Sequence, residues 1–261
     1  SHQQRLSCNV TSLSAYPLVT GDLFRNLCHH KLDEAPFNPN DVEEGDLIFA
    51  SCTNLEVLFS LIDEIPNRFI LVSHLTPVTR FEFTRYLDNP KIVAWFAKNA
   101  DGSHPKLHFL PNGVGRVKKE SNFAAHFDPL RMNVSFCPKS ATYSIPNQTS
   151  LDTWREKEHL LSSSFTMRYN KKDRQPVYDL FAEKPYCTFF PLLPKDEYIQ
   201  TLMRSCFTLS PRGSGLDCYR TWEAVLSGSI PIALHSYLDR EFEDLPILTT
   251  PSWDCITEEY L

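Results

Sequence analysis

Compact apolar runs that do not alternate with polar residues recur along this chain, and segments with helical spacing separate them. In the first half the runs are "GDLIFAS" (45–51), "RFILVSH" (68–74), "KIVAWFAKN" (91–99) and "KLHFLPNG" (106–113). A strand with one wet face alternates; a strand buried on both faces does not. Between the runs, "NLEVLFSLIDEI" (54–65) and "TRFEFTRYL" (79–87) carry apolar residues at helical intervals. That repetition predicts a parallel sheet covered by helices.

From 114 to 150 the pattern fades into polar, irregular sequence, read as the region between two domains. It then restarts. "SSFTMRYN" (163–170) is predicted as a strand and "DRQPVYDLFAE" (173–183) as a helix, with Pro176 in its first turn. A short strand "YCTFFPL" (186–192) and a helix "KDEYIQTLMRS" (195–205) follow. After the stretch 206–233 come a strand "LPILTT" (245–250) and a closing helix "WDCITEEYL" (253–261). The predicted fold class is α/β, with two Rossmann-like domains over residues 1–125 and 126–261.

The formal charge of −6 and pI near 5.8 argue against nucleic-acid binding, which needs a basic footprint. No apolar run reaches the roughly 18 residues of a membrane span. The chain starts "SHQQ" without methionine, which is compatible with an upstream anchor having been removed. Eight cysteines are scattered without a C-x-x-C pair, which disfavours a zinc site, and Cys52 and Cys206 read as small buried thiols. Sequons start at Asn9, Asn133 and Asn147, close to the chance number for this composition.

The most informative stretch is "CFTLSPRGSGLDCYRTWEAVLSGSIPIA" (206–233), which reads as strand, glycine turn, helix, strand. Pro211 ends the first strand. Gly213 and Gly215, flanking Ser214, permit positive φ and close backbone approach. Asp217 reads as the helix N-cap and Gly228 as its stop. Backbone N–H groups and the helix dipole then favour an anion at the turn. Arg212 before the turn and Arg220 in the first helical turn suit a diphosphate, because guanidinium donates two parallel hydrogen bonds. Glu223, on the face of Arg220, is placed to accept both hydroxyls of a ribose. The bland alternative is a surface ion pair between Arg220 and Glu223. The P-loop pattern and the nucleophile elbow are absent, and Cys218 stands where a dinucleotide fingerprint needs its third glycine.

Pro211, Gly213, Arg220, Glu223, Ala224, Gly228, Ile230, Pro231 and Ile232 together resemble the C-terminal signature of exostosin-like (GT47-like) glycosyltransferases. The likeness runs over about 165–261. Upstream, "FILVSH" and "KIVAWFAKNA" are similar to short single-module members, including those of large algal viruses. The resemblance implies a GT-B fold: two Rossmann-like domains with parallel sheets facing a cleft, nucleotide in the second, acceptor mainly in the first. It implies inverting transfer from a UDP-sugar to a glycan hydroxyl on an oligosaccharide or glycoprotein, with UDP-xylose the first donor by analogy alone. It leaves two compartments: the host cytoplasm for a viral enzyme, the Golgi lumen for a trimmed cellular one.

No two aspartates lie two apart, so there is no D-x-D to hold a metal on the diphosphate. No metal or other cofactor is therefore expected, and the arginines must serve instead. Asn170 and Arg174, at the preceding strand–helix junction, are the expected second clamp, although a solvated turn is as good a reading. Tyr198 packs near a base or, more simply, in the core. Inverting transfer also needs a general base. His74, ending "RFILVSH", and Asp101, after "AWFAKN", are the candidates, with His104 and His126 behind them and Asn99 as an acceptor contact. His74 as a strand cap and Asp101 in an Asp-Gly turn are the structural alternatives. Other readings are a catalytically inert carbohydrate- or nucleotide-binding module on the same fold and, more weakly, a dinucleotide oxidoreductase.

Overall fold

A computed structural model describes residues 19–34, 36–51, 53–74, 81–101, 103–115 and 154–261. The chain divides into two compact units: residues 1–116 with 214–217, and residues 117–213 with 218–261. The expected boundary at 125/126, the three sequons, Cys52 and His126 lie outside the described residues. Among the described residues no helix is long and apolar enough to cross a membrane.

In the first unit, helix α1 (Gly21–Asn26) is followed by strands β1 (His30–Lys31) and β2 (Asp46–Phe49) and helix α2 (Leu55–Ser60). Strand β3 (Phe69–Ser73), a 3-10 helix (Phe81–Asp88), β4 (Ile92–Lys98) and β5 (Leu107–Leu110) complete it. All pairings are parallel and the spatial order is β1-β2-β3-β4-β5. β2 and β3 have no exposed residue, which is why these strands do not alternate, whereas Val93 of β4 and His108 of β5 are exposed. Ile48, Leu71, Trp95 and Ala97 pack with Leu55, Leu58 and Phe59 of α2, while Phe49 and Val72 pack with Cys28 and Phe24 on the other side.

In the second unit the order of elements is β6 (His159–Ser163), α3 (Lys171–Phe181), β7 (Cys187–Phe189), α4 (Lys195–Met203) and β8 (Ser205–Leu209). Helix α5 (Tyr219–Leu226), β9 (Ile230–Leu234), α6 (Asp239–Phe242) and β10 (Leu248–Thr250) follow. This sheet is also parallel, in the order β10-β9-β8-β6-β7. The chain steps from β6 outward to β7, returns past β6 to β8, and continues to β9 and β10. That single reversal is a topological switch point of the flavodoxin-like kind.

Two expectations are corrected here. The strand expected at 163–170 lies earlier, at His159–Ser163, and the residues after it form a loop. Ser162, near the strand's end, is buried and bonded to Thr208 of the neighbouring strand. The closing helix is only a 3-10 turn (Trp253–Cys255), because Ser252 caps it and Ile256 turns extended and enters the core. Gly228 stops α5 as expected: its φ is +72° and its carbonyl accepts from Lys157 Nζ at 2.6 Å. Cys206 is buried with a free thiol, donating to the carbonyl of Trp154 at 3.2 Å.

Candidate functional site

In open parallel sheets ligands bind beyond the carboxyl ends of the strands, where the order reverses. In the second unit that place lies past Ser163 of β6 and Leu209 of β8. A pocket of about 320 Å³ opens there. The loop after β6 supplies Ser164, Phe165 and Thr166; α3 supplies Arg174; α4 supplies Lys195 and Tyr198; Cys218 and α5 supply Arg220 and Glu223. A larger cavity of about 610 Å³ lies against Pro176, Leu180 and Trp253, but its charged residues are Asp179 and Asp254, so it does not suit an anion.

Arg174 and Arg220 are 5% and 9% exposed. Backbone carbonyls hold them: Arg174 donates to Arg212 O at 3.1 Å and Thr166 O at 2.6 Å, and Arg220 donates to Ser164 O at 2.9 Å. Both guanidinium carbons lie within 6 Å of the centroid of the Phe165 ring, at 5.8 and 5.5 Å. Among the described residues neither guanidinium hydrogen-bonds a carboxylate. Burial, and then the charge of Arg220, lower the pKa of Arg174. The structure therefore holds two positive charges together out of water, an arrangement that an anion would relieve.

The lone acid of the pocket, Glu223, is 3% exposed and accepts from Lys195 Nζ at 2.5 Å. Tyr198 lies near the same carboxylate; burial and then that charge raise the pKa of its hydroxyl well above the usual phenol range. Lys195 also lies 5.0 Å from the centre of the Tyr198 ring. The surface Arg220–Glu223 pair is thus not formed: both residues are buried and turn to other partners. With three cations against one carboxylate, the lining is net positive.

The remaining expected donor residues divide into two groups. Asn170 caps α3, accepting from Asp173 N, and donates to Gly213 O at 2.9 Å, so it braces the turn from behind. Arg212 is exposed and pairs with Asp173 at 2.5 Å. Gly213 does not adopt positive φ, and neither does Gly215. At 213 the need is space, since a Cβ would stand 3.2 Å from Arg174 Nη2. Ser214, Gly215 and Asp217 belong to the first unit, where Gly215 abuts the Asn99 side chain. Asp217 is not the N-cap: its carboxylate accepts from Asn112 N at 2.5 Å, and Cys218 caps α5 without a side-chain bond. The positive end of the α5 dipole is left unneutralised by any side-chain cap.

The candidate bases lie elsewhere in the first unit. His74 is 1% exposed, packs on Phe24, and shares a 2.9 Å hydrogen bond with the carbonyl of Pro111. Burial lowers its pKa to about 4. Asp101 is half-buried and accepts from Ser103 N at 2.9 Å, as an Asp-Gly turn residue does. His104 lies 3.3 Å from Asp88, and Asn99 is the one described non-glycine residue with positive φ, at 61°.

Lys195, Ser164 and Phe165 were missed from sequence. The loop was hidden by the misplaced strand. Lys195 left little signal, because it opens α4 beside Asp196 and Glu197, where it reads as an ordinary member of a charged first turn.

Residues 194–241 match the family model described as RXYLT1 C-terminal domain, a segment shorter than half the chain. It contains Lys195, Tyr198 and all nine residues, Pro211 to Ile232, that carry the exostosin-like resemblance. No curated protein matches the chain, so the likeness to viral members gains no support. Among solved structures, the heptosyltransferase WaaC of E. coli with ADP matches at 12% identity over 73% of this chain and 86% of that one. Its TM-score is 0.22, too low to carry an argument.

Proposed function

We propose that the chain is an inverting, metal-independent glycosyltransferase that moves a sugar from a UDP-sugar to a glycan hydroxyl, with UDP-xylose the first donor to try. The observation that carries this reading is the pair of buried guanidiniums at the switch point, held by backbone carbonyls and, among the described residues, hydrogen-bonded to no carboxylate. The family match over 194–241 supports the same chemistry. The diphosphate of a nucleotide sugar is the anion that such a pair fits. Its charge grows as the bond to the sugar breaks, so fixed cations favour the transition state over the bound donor. Glu223, held by Lys195 at the pocket wall, is the group that accepts the ribose hydroxyls. The acceptor oxygen attacks the anomeric carbon from the face opposite the leaving UDP, and a base takes its proton. Asp101 is retained for that role because its carboxylate is not sealed from solvent; His74, buried and of low basicity, is dropped.

Thermal shift with UDP, UDP-xylose, UMP and uridine, each with and without EDTA, tests the reading. UDP should raise the melting temperature by several degrees at about a hundredfold excess over Kd, uridine should not, and EDTA should change nothing. A response that appears only when Mn²⁺ is supplied would overturn the metal-free clamp. Silence towards every diphosphate would overturn the donor site. Binding without consumption of any sugar donor would favour an inert module.

A further inference from the structure

The ion pair of Lys195 has a use beyond neutralising a buried acid. A carboxylate that recognises a ribose must hold one rotamer and keep its remaining lone pairs aimed outward. Glu223 stands on α5 and is held at 2.5 Å by an ammonium from α4, with the Tyr198 ring packed under that ammonium. Tyr198 lies three residues after Lys195 on α4, and the ammonium sits over its ring, so acid, ammonium and phenol restrain one another. Lys195 is the first residue of α4, a position at which the helix dipole gives a cation no support, so its bond to Glu223 is what fixes it.

Resting on the ribose assignment for Glu223, we propose that Lys195 is a positioning residue that makes the pocket select ribonucleotides over 2′-deoxyribonucleotides. Arg174 and Arg220 hold the diphosphate whichever sugar carries it. Discrimination at the 2′ position then rests on Glu223, and Glu223 is only as selective as Lys195 and Tyr198 make it. A site built to hydrogen-bond a hydroxyl rejects the analogue lacking it, because its own polar group is left unmatched.

The test is calorimetric titration with UDP, 2′-deoxy-UDP and inorganic pyrophosphate. The parent chain should prefer UDP over 2′-deoxy-UDP by about tenfold or more. Lys195→Met should compress that preference to near one while pyrophosphate affinity changes less than about threefold, and Lys195→Arg should restore part of it. Tyr198→Phe should give a smaller compression and serves if Lys195→Met does not fold. Equal weakening towards UDP, 2′-deoxy-UDP and pyrophosphate in Lys195→Met would make Lys195 a phosphate contact and overturn the proposal. Glu223→Gln separates the two levels. If it removes the preference and Lys195→Met and Tyr198→Phe do not, only the positioning role falls. If it leaves the preference intact, or the parent chain shows none, the ribose assignment itself falls.

Discussion

The two sheets are built from the same kind of strand and wound differently. In the first unit each described strand lies beside its predecessor, β1 to β5 in order; in the second the path reverses once, between β6 and β8. Where two neighbouring strands send their chains off in opposite directions, their ends leave a crevice that no crossover fills. The pocket with two buried arginines is found at that reversal. The first sheet, which has no reversal among its described strands, puts an inward-turned histidine, His74, at the end of its central strand. Similar apolar strands thus serve packing in one unit and a charged site in the other, and connectivity makes the difference.

The strongest challenge to that contrast is Arg220→Ala. With the diphosphate ligand, removal of one desolvated guanidinium should cost about 3–4 kcal/mol, a loss of several hundredfold in Kd for UDP. Titration calorimetry would measure it; an unchanged Kd in a folded variant would mean that the reversal is not the anion site.

Next in size is the pH response of the first unit. His74 has a folded-state pKa of about 4, below its unfolded value near 6.5. The unfolded chain therefore takes up the proton first as pH falls. The stabilising contribution is complete above pH 6.5 and declines towards pH 4, by about 3 kcal/mol in all. Hydrogen exchange at pH 7 and pH 4.5 should show protection falling among the amides of β3 and β4, and His74→Phe should flatten the trend. An equal decline in β8 would show that another group governs it.

The smallest effect concerns Gly213. A Cβ there would stand 3.2 Å from Arg174 Nη2, close enough to displace the guanidinium by a few tenths of an ångström. Gly213→Ala should weaken UDP binding severalfold, about 1 kcal/mol, with little change in melting temperature. Unchanged affinity would show that Arg174 tolerates the shift.

The contrast itself was not legible in the sequence. Non-alternating runs such as "RFILVSH" announced buried parallel strands, because burial on both faces removes the need for polar alternation. Strand order leaves no such trace, since it depends on which edge each crossover reaches. Arg220 and Glu223 could be picked out because they follow a glycine turn on one helical face, and Arg174 because it lies at the preceding strand–helix junction. Asp217 misled: it sits one residue before the true cap and satisfies Asn112, 105 residues away along the chain. No local rule anticipates a bond of that span. Loop residues 164–166 were lost for a different reason, namely that the strand was set several residues too late, at 163–170, so that the loop was read as strand.

The reversal also sets a schedule for synthesis. The first sheet can add each strand beside the one just made. In the second, β6 has one edge covered by β7, but its other edge waits for β8, whose first residue, Ser205, comes 42 positions after Ser163. At a ribosomal pace of roughly 5–20 residues per second that wait is about 2–8 s. During it, a strand bearing Leu160 and Leu161 offers an open ladder of backbone donors and acceptors to any passing chain. The step in the winding that opens the crevice therefore also leaves one edge of β6 unpaired for the time it takes to make β8.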